Sequence, residues 1–512
     1  MDGLERFGIE APSPDWQAEN PGWVATPPDD PAWTPDPKDA KGNLRKPAPG
    51  NARPSKGAAA SDDDDLFTEA SVADAFRDIV INHLRFDHTA KRWFMWDGTR
   101  WARQETHLAY SWASRKARAM AKDTGSVKAE ISAGRAAFAG GVETLAQRDP
   151  ALAVTFEVWD RDPWLLGTPG GVVDLRTGVM RPAQRENYIT KLTGCVPAEP
   201  GTPHPLWSRF LSEATAGDVG LQRFLCQIAG YCLTGTTTEH ALFFVHGPGG
   251  NGKSLFLNIV GAMLGGYATT AAMDTFTASQ SDRHPTDLAK LNGPRMVAAS
   301  ETEEGRAWAE SRIMALTGGD QISARFMRQD FFEFTPQFKL VIVGNHKPVL
   351  RNVNDAAKRR FNIIPFLHKP AKPDFELEAK LKGELPAILR WALDGCLDWQ
   401  TNGVVRPAVV TEATAEYFSE QDSVAQWVQS CCDTGGRNVS DTTASLFKSW
   451  TDYALANGEK PGTTKWFNQA IARLGAEPVK DTPGHRGKRG FLKITVKPVD
   501  TSGWRNRHEG AE

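Results

Sequence analysis

Residues 241–264 read ALFFVHGPGGNGKSLFLNIVGAML. Ala241 to His246 is a short apolar run that ends at glycine, the pattern of a strand buried on both faces, and the segment from Leu255 to Leu264 is an apolar helix. Between them, Gly247-Pro248-Gly249-Gly250-Asn251-Gly252-Lys253-Ser254 fits the pattern GxxxxGKS with a strand before and a helix after, the context that gives the pattern its meaning. Glycines let successive backbone N–H groups turn inward around phosphates with no Cβ in the way, and the helix N-terminus adds partial positive charge. The alternative is an ordinary glycine turn between strand and helix. On the P-loop reading, Gly247 through Leu255 seat a nucleoside triphosphate, Lys253 reaches its β and γ phosphates, and Ser254 ligates Mg²⁺.

Downstream, RMVAAS (295–300) and KLVIVGN (339–345) are further short apolar runs separated by helix-like segments, which predicts an α/β domain with a largely parallel sheet. Hydrolysis needs an acid at a neighbouring strand tip and a group that orients water. The first run delivers Ser300-Glu301, followed by Glu303 and Glu304. Glu301 is therefore the candidate to polarise the attacking water and a second candidate metal ligand; a solvated acidic loop is the other reading. The second run ends in Asn345. In isolation Asn345 reads as a turn residue, but after a P-loop and an acidic strand tip it becomes a candidate γ-phosphate sensor. Arg359 and Arg360 precede another apolar run, FNIIPF; such a pair is a surface ion-pair former or the arginine that a multimeric ATPase supplies across a subunit interface.

The rest of the 512 residues frames this core. Apolar residues make up 40% and charged residues 24%, and the formal net charge is −2, so nucleic acid would be met by local basic surfaces and not by a global positive field. About a third of the 33 prolines fall before residue 65, in a stretch almost without branched aliphatics that ends in the acidic run Asp62–Asp65 and reads as a disordered tail. The six cysteines form no CxxC pair at zinc spacing. No stretch approaches about 18 consecutive apolar residues and no basic-then-apolar leader opens the chain, which predicts a soluble cytoplasmic protein with no membrane partner. Leu66, Val72, Phe76, Ile79, Val80 and Leu84 recur at helical spacing, with Thr68 or Ser71 as cap. Asp97-Gly98 between two aromatic runs signals a hairpin, and WLLGTPGGVVDLRTGVM (164–180) a second hairpin-like unit.

Taken together, the motifs resemble those of superfamily 3 helicases, in particular the primase-helicases of phages, plasmids and poxviruses. GPGGNGKS is similar to their Walker A loop, RMVAASETEEG to Walker B, LTGGDQISARFMRQDFFEFTPQFKLVIVGNHKP to the intermediate motif and motif C, and AAKRRFNIIPF to the arginine-finger segment. PLWSRFL through GYCLTG resembles the helical cap ahead of the ATPase. The resemblance implies an α/β fold with a P-loop AAA+-like ATPase core, a mixed α+β N-terminal accessory domain, a helical cap and a C-terminal winged-helix-like domain. The corresponding division is a tail (1–65), accessory domain (66–200), helical segment (201–240), ATPase core (241–404), winged-helix-like domain (405–500) and a final tail (501–512).

The resemblance also implies a homo-hexamer or similar ring that uses ATP and Mg²⁺ to move on single-stranded and forked DNA, with a separate primase or replication initiator as partner. Its finger is Arg360, preferred over Arg359 because it directly precedes the strand. One departure is that many members carry an acidic pair where this chain has Ser300-Glu301, which puts a second carboxylate on the metal in doubt. In the family a hairpin within ISARFMRQDFFEFTP grips the DNA backbone; here Arg325, Arg328 and Lys347 would pair with phosphates. GHRGKRGFLKITVKP carries Arg486, Lys488 and Arg489 around a glycine-rich turn like the wing of a winged helix, with KWFNQAIARLG as the recognition element. Asp160 and Asp162 have a DxD spacing that could serve a second, primase-type site, but packing of Trp159 and Trp164 accounts for the stretch more simply. An ATP-dependent initiator or loader without processive unwinding, and a DNA-independent ATPase, remain as alternatives.

Overall fold

The computed structural model describes residues 67–278, 286–300, 306–325, 331–350, 355–370, 372–434 and 439–498. Order begins at α1 (Glu69–Val80), where Thr68 Oγ1 accepts from the Ser71 N–H at 3.1 Å and Ser71 Oγ accepts in return from the Thr68 N–H at 3.0 Å, so each residue satisfies a donor of the other. Strands β1 (Leu84–Asp87), β2 (Arg92–Trp96) and β3 (Trp101–Arg103) form an antiparallel meander. Trp96 pairs with Trp101, so the turn spans residues 97–100. It is longer than the two-residue turn that Asp97-Gly98 suggests, because Asp97 Oδ1 accepts from the N–H groups of both Thr99 and Arg100, at 2.9 and 2.8 Å.

The Ala-rich stretch that follows divides into α2 (Leu108–Asp123), α3 (Val127–Ala133) and α4 (Ala136–Gln147), and β4 (Ala153–Val154) then pairs in parallel with β1. Ala109, Ala113, Ala117 and Ala121 make one buried, small-residue face of α2, which brings the helices of this unit close together. The core of the N-terminal unit runs from Val72 to Leu152.

A second antiparallel meander comprises β5 (Leu165–Thr168), β6 (Gly171–Asp174) and β7 (Val179–Arg181). Leu166, Val173 and Leu175 are buried in the core of the unit that follows, and the Arg295 guanidinium donates to the Leu165 carbonyl at 2.7 Å. The segment around the meander also touches the N-terminal unit: the Trp101 indole N–H donates to the Arg185 carbonyl at 2.9 Å and Trp159 stacks on Phe94.

Helices α5 (Pro205–Ala214) and α6 (Val219–Leu233) lead into the main unit. There follow β8 (Leu242–His246), α7 (Lys253–Leu264), β9 (Ala268–Thr270), α8 (Thr286–Ala289), β10 (Met296–Ser300), α9 (Glu310–Gly318), the antiparallel pair β11 (Ile322–Arg325) and β12 (Phe331–Phe334), β13 (Lys339–Gly344), α10 (Asp355–Arg360) and β14 (Phe361–Pro365). The central sheet has the order β14-β8-β13-β10-β9 with every pair parallel. Leu242 and Phe244 of β8 pack into one layer with Leu340, Ile342 and Phe361, while Phe243 and Val245 pack into the opposite layer with Val341, Val343 and Ile364. Burial on both faces is why these strands read as unbroken apolar runs.

Helices α11 (Leu377–Lys382), α12 (Leu385–Asn402) and α13 (Ala408–Gln421) complete this unit. Helix α13 covers the edge strand β14: Thr414 Oγ1 accepts from the Ile363 N–H at 3.0 Å, and Tyr417 and Phe418 are buried with the sheet. A separate core then joins α14 (Ser423–Cys431), β15 (Cys432–Asp433), β16 (Ser440–Thr442), α15 (Thr443–Ala456), α16 (Thr464–Arg473), β17 (Glu477–Val479), β18 (Gly490–Leu492) and β19 (Thr495–Val496), with β16-β18-β17 antiparallel. No helix among the described residues is long and apolar enough to cross a membrane.

Candidate functional site

The sheet's connectivity creates the site. From β8 the chain crosses by α7 to the far edge strand β9, whereas from β13 it crosses by α10 to β14 on the other side. Adjacent strands whose outgoing connections diverge leave a crevice at their carboxyl ends, where ligands of open α/β sheets bind. His246 pairs with Gly344 and with Pro365, so the loop after β8, Asn345 after β13 and the segment after β14 leave the sheet at one level.

A cavity of about 1020 Å³ opens there, lined by Gly249 through Leu255 and by Asn345. Gly252, at the start of α7, holds φ of 87° with the Phe210 ring where a Cβ would lie, and a Cβ on Gly247 would sit 1.9 Å from the Phe366 carbonyl oxygen. Side chains at these two positions would push the loop out of place. Gly249 and Gly250 instead face open space, so their backbone is accessible to a ligand. Asn251 is buried and its Nδ2 donates to the Phe366 carbonyl, pinning the loop to the continuation of β14. The Lys253 ammonium donates to the Gly247 and Pro248 carbonyls, at 2.5 and 2.8 Å, and to Asn251 Oδ1 at 3.0 Å, with no carboxylate among these partners. Burial, and then the charge of Lys369, lower its pKa. Ser254 is exposed on the first turn of α7, and Leu255 is partly buried beside it.

Asn345 is exposed at the cavity, and its backbone carbonyl lies 3.1 Å from His246 Nε2. Burial, then the charge of Lys347, push the His246 imidazole toward its neutral form, which bonds to that carbonyl through a ring N–H. The motifs missed this histidine and the facing wall of the cavity, where Arg209, Lys369 and Lys372 add cations, Glu213 and Asp374 add acids and His368 adds an imidazole. The sequence signal for that wall was HKPAKPD directly after the last apolar run, a basic segment rigidified by proline.

The other predicted residues fall elsewhere. Ser300 is exposed at the tip of β10, while Glu301 and its acidic neighbours Glu303 and Glu304 lie outside the described residues, as does Arg328. Arg359 and Arg360 end α10 just before Phe361, which pairs with Leu242 at the start of β8. They sit at the opposite ends of the strands, roughly five residues or about 16 Å from the cavity of their own chain. Arg360 Nε is buried without a hydrogen-bond partner and its Nη1 donates back to the Ala356 carbonyl at 3.2 Å, whereas Arg359 is exposed.

Arg325 lies on the β11–β12 hairpin with its guanidinium 5.0 Å from the Phe331 ring centroid. Lys347, expected at DNA, is instead tied to Glu420 of α13 at 3.2 Å and lies over Tyr417, because α13 folds back onto the sheet. Arg486, Lys488 and Arg489 are exposed in the turn between β17 and β18. The DxD pair is divided: Asp160 is buried against Lys191 (3.0 Å) and Thr190, while Asp162 accepts from the Trp164 N–H and pairs with Arg176.

Residues 73–216 match the family described as D5 N terminal like, and residues 245–360 match a family of unknown function, DUF5906. A protein named as a "putative helicase" of Acanthamoeba polyphaga mimivirus is 28% identical over 290 residues, 51% of this chain and 30% of that protein. Another of the same name from Frog virus 3 is 26% identical over 298 residues, 52% of this chain and 30% of that one. The chain thus matches about a third of the length of these relatives. Among solved structures, the apo C-terminal region of NrS-1 aligns over 80% of this chain and 95% of its own at 10% identity, with a TM-score of 0.46.

Proposed function

The family matches and the viral relatives fit a protein of the primase-helicase type, and from that premise we propose that this chain is an ATP-driven, ring-forming DNA helicase of superfamily 3, with a P-loop AAA+-like core, serving the replication of a phage, plasmid or integrated mobile element. One observation carries the reading: the loop Gly249–Leu255 and Asn345 converge on a single cavity at the point where the sheet's connections diverge.

In this mechanism the triphosphate enters along the α7 N-terminus and its oxygens take over the Lys253 ammonium from the Gly247 and Pro248 carbonyls. Because those partners are neutral, the exchange breaks no ion pair. The Asn345 amide reaches the γ-phosphate while His246 holds its backbone, and Lys369 and Lys372 raise the positive potential from the facing wall. Ser254, exposed on the first helical turn, is suited as a hydroxyl ligand for Mg²⁺, which supplies charge neutralisation between the β and γ phosphates. Glu301 orients and polarises the attacking water.

The arginine pair at the far ends of the strands lies away from its own cavity, so Arg360, or Arg359 beside it, reaches the cavity of the next subunit in a homo-hexamer or similar ring. Hydrolysis then moves the β11–β12 hairpin, with Arg325 and Arg328 on the phosphates of the strand in the channel. The C-terminal unit acts as a winged-helix-like DNA element through α16 and the turn that carries Arg486, Lys488 and Arg489. The test is ATPase with and without single-stranded DNA, together with strand displacement on a fork. Wild type should show both, and Glu301→Gln should bind ATP but hydrolyse it at least about 10²-fold more slowly. Wild-type protein with no DNA-stimulated ATPase overturns the helicase. The exposed basic turn favours a second reading, an initiator that assembles on duplex DNA; it predicts tight duplex binding without strand displacement.

A further inference from the structure

The N-terminal unit holds a cavity of its own, about 530 Å³, between the β1–β2 turn, the residues before α2 and the end of α4. Trp93, buried to 7% exposure, and Phe86 give it an apolar floor, their rings packed edge to face at 5.1 Å. Both of its carboxylates are already engaged. Glu143 accepts from the Trp93 indole N–H at 2.9 Å, and Glu105 pairs with Arg103 at 3.0 Å.

Its cations are not engaged in this way: Lys91, Arg92 and Arg148 are exposed on the rim and have no ion pair among the described residues. Lys91 also holds φ of 51°, a left-handed conformation that glycine or asparagine adopts at lower cost. A lysine kept where the backbone favours another residue points to use of its side chain. An apolar floor under a rim of unpaired cations suits a phosphate ester that carries a flat, apolar group.

The unit that holds the cavity also touches the hairpin assigned to the DNA channel. Phe86 and Asp87 of β1 pair with Ala153 and Val154 of β4; two residues on, about 7 Å of extended chain, the Phe156 ring meets Phe332 of β12 at 6.5 Å. We infer that this cavity is a second grip on single-stranded nucleic acid: Lys91, Arg92 and Arg148 hold backbone phosphates, and a base or sugar lies on Trp93 and Phe86. The inference rests on the helicase reading and gives the N-terminal unit its task, holding the strand beside the channel. A free nucleotide offers the same phosphate chemistry, but the exposed rim and the path to the hairpin favour a polymer.

The test is anisotropy of a labelled oligo(dT) with the full chain across a salt series, alongside ATPase without DNA. Replacing the three cations together (Lys91→Ala, Arg92→Ala, Arg148→Ala) should weaken binding about ten-fold and reduce the salt slope by about 2, leaving DNA-independent ATPase unchanged. Should that variant fail to fold, Arg92→Glu alone, exposed at the start of β2, should still reduce the slope by about 1. Wild-type affinity and slope in a folded variant overturn this grip and leave the helicase reading intact. Wild type that hydrolyses ATP but binds no oligo(dT) overturns both. A labelled ADP arm in the Lys253→Ala background separates the sources: ADP binding that persists there and is lost on adding the three cation replacements, with DNA binding kept, would overturn the polymer in favour of a free nucleotide.

Discussion

Two buried lysines lie at opposite ends of the strands of the central sheet and are solvated in almost the same way. Lys253, beyond the tip of β8, donates to the Gly247 and Pro248 carbonyls and Asn251 Oδ1; Lys339, at the start of β13, donates to the carbonyls of Thr234, Thr236 and Gln337 and lies over the Tyr231 ring. Neither set of partners includes a carboxylate. What separates them is access: Lys253 opens onto the cavity at the strand ends, while Lys339 is sealed beneath the end of α6 beside the buried guanidinium of Arg295, which donates to the Leu233 carbonyl. There two cations meet the negative end of a helix dipole, a structural use of the chemistry that the other end of the strands offers to phosphate. A charge held by neutral oxygens can be handed to a ligand where a cavity faces it and becomes a clamp where nothing does.

The strongest way to break this comparison is Lys253→Ala. ATPase should fall by at least about 10²–10³-fold, the cost of removing a charge donor aimed at the reacting group. The thermal midpoint should stay within about 2–4 °C, because the freed carbonyls open onto the cavity and can take water. A large drop in the midpoint would make Lys253 a second clamp and not a ligand-binding group.

Lys339 should fail the same assay in the opposite sense. Burial pushes its pKa down to about 7 from 10.5, so between those values the unfolded chain binds the proton that the folded chain has released. Folding stability then rises with pH from about 7 toward 10, by on the order of 1 kcal/mol per pH unit at most. Buried thiols such as Cys232, raised to about 12 by burial, oppose this once the pH passes their unfolded value of 9.0, so the window to measure is pH 7 to 9. Lys339→Met should flatten that rise in a denaturant or thermal series, with hydrolysis per folded molecule unchanged. An unchanged slope would show that the clamp is not what titrates.

The same contrast explains how much was legible in the sequence. The strand, loop and helix around Lys253 read directly because their parts are contiguous: a strand buried on both faces, glycines the turn requires, then Lys253 and Ser254. The parallel strands were readable for the same reason. What escaped is built by contacts distant in sequence. The second meander and α13 pack by burial against the sheet, which composition does not reveal. The wall that faces the P-loop combines Arg209 with Lys369 and Lys372, which meet only after folding. The tryptophans, unexplained by any motif, seal such seams: Trp207 lies between Phe256 and Trp391, and the Trp308 indole donates to the Tyr417 hydroxyl at 3.0 Å.

A third lysine sharpens the comparison with the smallest effect. Lys347 follows the sensor strand closely enough to look like a DNA contact, yet its ammonium pairs with Glu420 at 3.2 Å, its side chain only 19% exposed. An ion pair to a half-exposed partner is worth about 0–1 kcal/mol, and a cation already neutralised adds little to a phosphate contact. Lys347→Met should therefore change oligo(dT) affinity less than about two-fold and lower the thermal midpoint by no more than about 2–4 °C. If affinity and salt slope instead fall as for the hairpin arginines, the Glu420 pair opens when DNA arrives. Lys347 would then belong with Lys253, a charge held in reserve for phosphate, and α13 would move with it.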